Sequence, residues 1–203
     1  MRNVTCRCET NFQADLPEEV DLDSGTSGLD DLLSGDFFCV TCPSCGSILK
    51  PELRVRVISA SRGLKADVLP ETDRLAFYLG NVEIRKGDEV LVGYSELFER
   101  ARILADDLDP EAVEIIKYYL RLKAEESAPE NAEIQVRYHD SAEGRLNFHI
   151  LGIKKDEVAI LPVEEARYGR ILADMTKTKK TEPFVRIFKG PYKSLRALDV
   201  EQD

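Results

Sequence analysis

Alternation of apolar and polar positions predicts short β-strands in the first sixty residues. The pattern favours four of them, over residues 2–8, 11–14, 37–40 and 49–58. A short helix is predicted over 29–33, with Ser27 as its N-cap and Gly35 at its end. The N-terminal part is therefore expected to be a small β module.

Farther along the chain, the pattern adds helices. A helix is predicted over 95–106, with Ser95 as its cap and leucine and alanine positions on one face. The next helix has Asp109 as N-cap and Pro110 at its first helical position, and it extends to about residue 126. Pro162 is expected to open a last helix over 164–175, and further strands are predicted over 65–69, 75–79, 89–92, 133–139, 145–150, 157–161 and 185–188.

Composition is that of a folded protein, with 43% hydrophobic and 33% charged residues. No apolar run approaches the ~20 residues that span a bilayer. The first residues also lack the apolar stretch of a signal peptide. We therefore expect a cytoplasmic protein without a membrane segment, in a compartment where thiols stay reduced.

Charge is unevenly distributed along the chain, whose net charge is −10. Residues 9–36 include many Asp and Glu but no Lys or Arg, and such a surface repels phosphate backbones. No nucleic acid is therefore expected at the N-terminal module. Residues 167–196 are basic, and we interpret them as a solvated face, with an acidic partner or nucleic acid as the alternative.

Four cysteines in two close pairs carry the most specific chemistry. Cys6 and Cys8 lie near the start, and Cys42 and Cys45 lie within the turn sequence CPSCG. Reduced cysteines with this spacing predict a tetrahedral four-sulfur metal site, for which Zn²⁺ is the first candidate. Iron is the alternative, since a four-sulfur tetrahedron also accepts it. The fifth cysteine, Cys39, is expected to be a buried apolar side chain, or else a replacement ligand.

The elements and the cysteines together predict an α+β fold. Residues 1–63 are expected to form a zinc-ribbon-like β module. Residues 64–203 are expected to form an α+β domain with a helical pair and antiparallel strands, without a regular βαβ alternation.

Several motifs resemble the bacterial CpXC domain family. They are the CxC start, the short acidic helix ending in LLSG, the CPSCG turn, the following PEL at 51–53, and the stretches VGYSEL at 92–97 and LDPEAVEIIK at 108–117. The similarity covers about the first 125 residues. It implies a zinc-binding domain of uncharacterised function, with Cys6, Cys8, Cys42 and Cys45 as the ligands and Cys39 outside the ligand set.

Three functional hypotheses follow. The first is a non-enzymatic protein whose structural Zn(Cys)₄ site supports a binding or adaptor module, with a protein partner or a homo-oligomer. The second is a thiol-based redox or metal sensor, because the cysteine spacing is also similar to that of the bacterial redox-regulated holdase chaperones. The third is an enzyme with its site near His139 and His149, the two histidines of the chain, which are expected to face each other across a hairpin.

Overall fold

The computed structural model describes residues 1–24 and 28–201. Helices make up 33% and strands 27% of the protein, which confirms the predicted α+β class. The chain divides into two compact units, residues 1–98 and 99–203. The domain limits given by the sequence, 1–63 and 64–203, stay a prediction. Among the described residues, no helix is both long and apolar enough to cross a membrane.

The first unit consists mainly of short strands. Four of its strands form one sheet in the order β3-β6-β7-β8, and the other four form two separate hairpins, β1–β2 and β4–β5. The strands are β1 (Arg2–Thr5), β2 (Asn11–Ala14), β3 (Glu19–Asp21), β4 (Val40–Thr41), β5 (Ile48–Leu49), β6 (Val55–Ser59), β7 (Leu64–Leu69) and β8 (Glu89–Val92); the helices are α1 (Leu29–Ser34), α2 (Arg74–Tyr78) and the start of α3 (Tyr94–Ala105).

Buried valines lie at the centre of the four-stranded sheet. Val55 and Val57 of β6 and Val68 of β7 are 0% exposed. β6 and β7 pair antiparallel, but β3 lies parallel to β6 and β8 lies parallel to β7. The sequence did not indicate these parallel pairs. For β7 and β8, the reason is that the segment connecting them was predicted to contain a further strand.

The strand predicted over residues 75–79 is wrong, because these residues lie in and just after helix α2. Leu75 and Leu79 are 69% and 66% exposed, so the apolar alternation there does not mark a buried face. The predicted strand over 37–40 is also wrong in part, since only Val40 belongs to a strand, β4. Phe38 has a φ of 54° and stacks on Phe37 with ring centroids 4.3 Å apart, which breaks the extended backbone.

Further details of the first unit concern element ends. The predicted strand over 49–58 is two strands, β5 and β6, separated by residues 50–54. Helix α1 ends at Gly35 in the left-handed conformation, as predicted. Its proposed N-cap, Ser27, lies outside the described residues, and helix α3 begins at Tyr94 rather than after Ser95.

The second unit packs helices against one antiparallel sheet. Its sheet has the strand order β11-β10-β9, and its other elements are helices. In chain order, the elements of this unit are the rest of α3, α4 (Pro110–Glu125), β9 (Gln135–Ala142), β10 (Arg145–Leu151), β11 (Val158–Glu164), α5 (Glu165–Thr178), α6 (Phe184–Ile187) and a 3₁₀ helix (Leu195–Glu201). The core lies between α4 and the sheet, where Phe148 and Ile150 are 0% exposed.

Local signals placed helix α4 correctly. The Asp109 carboxylate accepts hydrogen bonds from the backbone N–H groups of Glu111 and Ala112, at 2.8 and 3.0 Å, as its predicted N-cap role requires. Two other local predictions are wrong. Pro162 lies within strand β11, which is an edge strand where a missing N–H group is tolerated, and residues 185–188 are not a strand.

Residues 184–187 form helix α6 because Phe184 and Ile187, three positions apart, are the two that are buried. The basic segment is also more integrated than a solvated face. Lys179 and Lys193 both bond to the carboxylate of Glu111 in α4, the latter at 2.6 Å. The tertiary structure therefore uses part of this basic charge to attach the C-terminal segment to α4.

A buried charged cluster joins four parts of the second unit. The Lys117 ammonium donates to Glu114 at 2.7 Å and to Glu99 at 3.0 Å. Glu99 also accepts from the backbone N–H of Tyr138 in β9, and Glu114 accepts from that of Leu195 at 2.8 Å. All three charged residues are more than nine-tenths buried. The cluster therefore holds α3, α4, β9 and the C-terminal segment together.

Candidate metal centre

The two cysteine pairs lie on the two separate hairpins of the first unit. Cys6 and Cys8 follow β1 in the turn before β2, and Cys42 and Cys45 lie in the turn between β4 and β5. All four Sγ atoms lie within 4.8 Å of one another. The structure therefore brings together the four residues that the sequence singled out.

Tight turns aim the sulfur atoms at a common point. In the first turn, the N–H of Cys6 donates to the carbonyl of Thr10 at 2.9 Å, and Glu9 adopts a φ of 66°. In the second turn, the N–H of Cys42 donates to the carbonyl of Ser47 at 2.9 Å, and Gly46 has a φ of 73°. A glycine takes this left-handed conformation without strain, which explains its place directly after Cys45.

The sulfur separations fit a tetrahedral ion. The Sγ atoms of Cys6 and Cys45 are 3.6 Å apart, and those of Cys8 and Cys42 are 3.7 Å apart. A tetrahedron with zinc–sulfur bonds of ~2.3 Å has sulfur–sulfur edges of about 3.8 Å. Four thiolates are also a donor set that zinc and iron accept. The residues present therefore could hold a metal ion.

Hydrogen bonds and burial set the thiol pKa values apart. The backbone N–H of Cys8 lowers the pKa of Cys6, but burial and the neighbouring thiols outweigh it and raise that pKa to about 12. The hydroxyl and backbone N–H of Thr10 lower the pKa of Cys8 to about 6. Ser47 acts in the same way on Cys45 and lowers its pKa. The thiolate, which is the form that binds metal, is thus favoured at Cys8 and Cys45.

The first hairpin and helix α3 both bond to the segment that follows β5. Arg2 of β1 donates to the carbonyl of Arg54 at 2.7 Å. Tyr94 donates its hydroxyl to the carbonyl of Leu53 at 2.7 Å, and its backbone N–H bonds to the carboxylate of Glu52. The same carboxylate accepts from the N–H of Glu71 at 3.0 Å.

Sequence reasoning missed this supporting network, although Glu52, Leu53 and Tyr94 belong to the two quoted motifs PEL and VGYSEL. Tyr94 is 7% exposed and its ring contacts that of Phe37 at 5.5 Å, edge to face. A glutamate and a tyrosine 42 positions apart give no local signal of contact. Only the motif stretches themselves, read together, could have suggested that these segments meet.

Cys39 is not part of the cluster, and its predicted burial is wrong. The side chain is exposed, and its Sγ lies 3.9 Å from a carboxylate oxygen of Asp36. The backbone turn at Phe38 directs the chain so that Cys39 lies outside the hairpin core. Within the part of the chain that the structure describes, the four-sulfur cluster forms without Cys39.

The histidines of the third hypothesis lie in the second unit and face each other, as predicted. The rings of His139 and His149 stack with centroids 4.0 Å apart. The β9–β10 register shifts at this point, and His139 has no partner opposite it in the register, which places its ring over that of His149. Asp140 lies 3.5 Å from His139, whose side chain is 42% exposed. An enzymatic role for this pair stays a prediction.

Comparisons with known proteins agree with the resemblance drawn from the motifs. A family model described as CpXC protein matches residues 4–117, which is more than half of the chain and includes all four clustered cysteines. A protein of Treponema pallidum (strain Nichols), described as an uncharacterized protein, is 27% identical over 219 residues, with 97% of each chain covered. No solved structure matches the chain.

Proposed function

The chain belongs to the CpXC family, and on that premise we propose that it is a cytoplasmic, non-enzymatic zinc protein whose Zn(Cys)₄ site supports a binding or adaptor module. The zinc would be held by Cys6, Cys8, Cys42 and Cys45. The two hairpins with their metal-binding turns would then form a zinc-ribbon-like module. The ion supplies folding energy to hairpins that are too small to be stable alone.

The observation that carries the proposal is the convergence of four thiols from two hairpins. Each hairpin pairs only within itself, β1 with β2 and β4 with β5. A shared ion would therefore tie together two small sheets that share no ladder. Four protein ligands fill a tetrahedron and leave no position for a reacting water molecule, which supports a structural role over a hydrolytic one.

A groove beside the cysteines is the surface that such a module would offer to a protein partner. It has a volume of about 850 Å³ and lies between residues 4–8 and residues 45–51. Ile48 in this groove is 71% exposed, and the lining includes Arg7 and Lys50 but no carboxylate. An extended segment of another protein, or of a second copy, would cover Ile48 there.

Metal analysis tests the proposal. Reduced protein purified without chelator is expected to contain about one zinc ion per chain. Replacement by Co²⁺ is expected to give the absorption of a tetrahedral thiolate site, and Cys42→Ser is expected to lose it. Cys39→Ser is the matched control and should keep both metal and spectrum. Well under one zinc per chain, or iron in its place, contradicts the proposed cofactor.

The groove has its own test. Sedimentation of wild-type protein and Ile48→Asp shows whether a second copy occupies it. A dimer that the substitution dissociates identifies the occupant as another copy of this chain. A dimer that the substitution leaves intact contradicts the assignment of the groove as the interface between copies.

A further inference from the structure

The four sulfur atoms form two close pairs, and each pair joins one hairpin to the other. Cys6 lies 3.6 Å from Cys45, and Cys8 lies 3.7 Å from Cys42. Each pair contains one buried and one exposed side chain: Cys6 and Cys42 are 4% and 1% exposed, whereas Cys8 and Cys45 are exposed. The four-sulfur cluster therefore combines two exposed and two buried cysteines.

We propose that Cys8 and Cys45 are sites of oxidation by hydroperoxides, and that the buried partners then close the disulfides Cys8–Cys42 and Cys6–Cys45. The proposal rests on the proposed metal site, because the same sulfurs would release the ion. It goes beyond a general thiol sensor, since it assigns which sulfur reacts first and which one resolves it.

Access to the reactive sulfurs is through the groove beside the site. Cys8 and Cys45 line it as exposed residues, Cys6 lines it but is only 4% exposed, and Cys42 does not line it. Polar hydroxyl groups lie beside the exposed sulfurs: Thr10 Oγ1 is 3.2 Å from Cys8, and Ser47 Oγ is 3.3 Å from Cys45. A small polar oxidant can therefore reach Cys8 and Cys45 before it reaches their buried partners.

The chemistry balances with hydrogen peroxide as the only oxidant. The Cys8 thiolate sulfur attacks one peroxide oxygen, the O–O bond breaks, and the leaving hydroxide takes a proton from solvent to become water. The sulfur, oxidised by two electrons, is now a sulfenic acid. The Cys42 thiolate sulfur attacks the Cys8 sulfur, an S–S bond forms, the S–O bond breaks, and the leaving hydroxide takes a second proton from solvent to become water. The same two steps join Cys45 to Cys6, at the cost of one further peroxide.

Pairing across the hairpins has a structural consequence. Links within the turns, Cys6 to Cys8 or Cys42 to Cys45, would leave the two hairpins unconnected after metal loss. Links across them would hold β1–β2 against β4–β5, as the proposed ion does. The oxidised module is therefore expected to stay folded without metal and to resist chelators.

The test maps the disulfides after graded peroxide treatment of full-length protein. Zinc content is measured first in the reduced sample, so that absence of metal, which would overturn the proposed function, is seen separately. Free thiols are then blocked, and the digest is analysed by tandem mass spectrometry. Trypsin cleaves after Arg7 and separates Cys6 from Cys8, and a second, Asp-specific protease cleaves between residues 15 and 36 and separates Cys8 from Cys42 and Cys45. Fragmentation of the peptide bond between Cys42 and Pro43 then distinguishes links at Cys42 from links at Cys45.

Links Cys6–Cys45 and Cys8–Cys42 are the expected result, with zinc released as they form. Links within a turn, the opposite cross pairing, or oxidation that stops short of any disulfide would overturn the proposal even where zinc is present. A sulfenic acid trap is expected to label Cys8 and Cys45 and not Cys6 and Cys42.

Variants separate the pairs. The double variant Cys6→Ser with Cys45→Ser keeps one complete pair and is expected to form Cys8–Cys42. The double variant Cys6→Ser with Cys42→Ser leaves the two exposed cysteines, and labelling by the trap is expected to persist in place of a disulfide. Cys39→Ser is the control, and its rate of zinc release should stay within about twofold of wild type. If either double variant fails to fold, the wild-type map still decides the question.

Discussion

Replacement of Lys117 by methionine tests the role of the buried charged cluster. Lys117 is 5% exposed and its ammonium bonds to two carboxylates that are equally buried. Methionine fills similar space but leaves Glu99 and Glu114 facing each other without a cation. Breaking a buried ion pair by removing one partner costs about 3–5 kcal/mol. We expect a loss of this size in the free energy of unfolding of the second unit at pH 8.

The stability lost in Lys117→Met is expected to depend on pH. Burial raises the pKa of Glu99, and the nearby Glu114 raises it further, whereas Lys117 lowers it. Without Lys117, the pKa of Glu99 lies still higher in the folded chain than in the unfolded chain. Protonation then stabilises the folded variant, so the loss caused by the substitution is expected to shrink as the pH falls from 8 toward 5.

The assay is chemical denaturation at both pH values, with hydrogen exchange measured in α4 and β9 to report on the second unit. Lys123→Met is the matched control, because Lys123 is an exposed lysine of the same helix. A loss for Lys117→Met within about 1 kcal/mol of the control would refute the reasoning, since surface changes cost no more than that. So would a loss that grows on acidification.

Three further predictions concern the metal centre, the histidine pair and nucleic acid. Cys45→Ala is expected to make residues 1–58 roughly tenfold or more sensitive to protease, because the ion supplies folding energy to this module. For His149, burial and then the charge of His139 lower the pKa below its ordinary value of 6.5, so the unfolded chain binds the proton more readily. Stability is therefore expected to fall as the pH drops from about 6.5 through the folded-state pKa, and His149→Gln should flatten this dependence in a denaturation series. The acidic N-terminal module is expected to show no salt-sensitive DNA binding in a gel-shift assay.

Each of these three has an outcome that contradicts it. Protease resistance of Cys45→Ala equal to that of Cys39→Ala would show that the ion does not hold the module. An unchanged acid profile in His149→Gln would place the pH dependence elsewhere. A gel shift that weakens with added salt and depends on the first unit would show that the acidic surface does not exclude phosphate backbones.

Local sequence signals determined several parts of the protein. The CPSCG turn and the CxC pair identified the four cysteines that the structure brings together. Asp109 and Pro110 identified the start of α4. These signals work because they depend on backbone conformation and hydrogen bonds within a few residues, which a short stretch of sequence specifies by itself.

The tertiary structure alone decided which distant groups meet. Glu99, Glu114 and Lys117 look like surface charges in the sequence, yet they form a buried cluster. The pairing of Cys6 with Cys45 and of Cys8 with Cys42 also follows only from the placement of the two hairpins. Burial and long-range contacts depend on the packing of segments far apart in the chain, and no local preference encodes them.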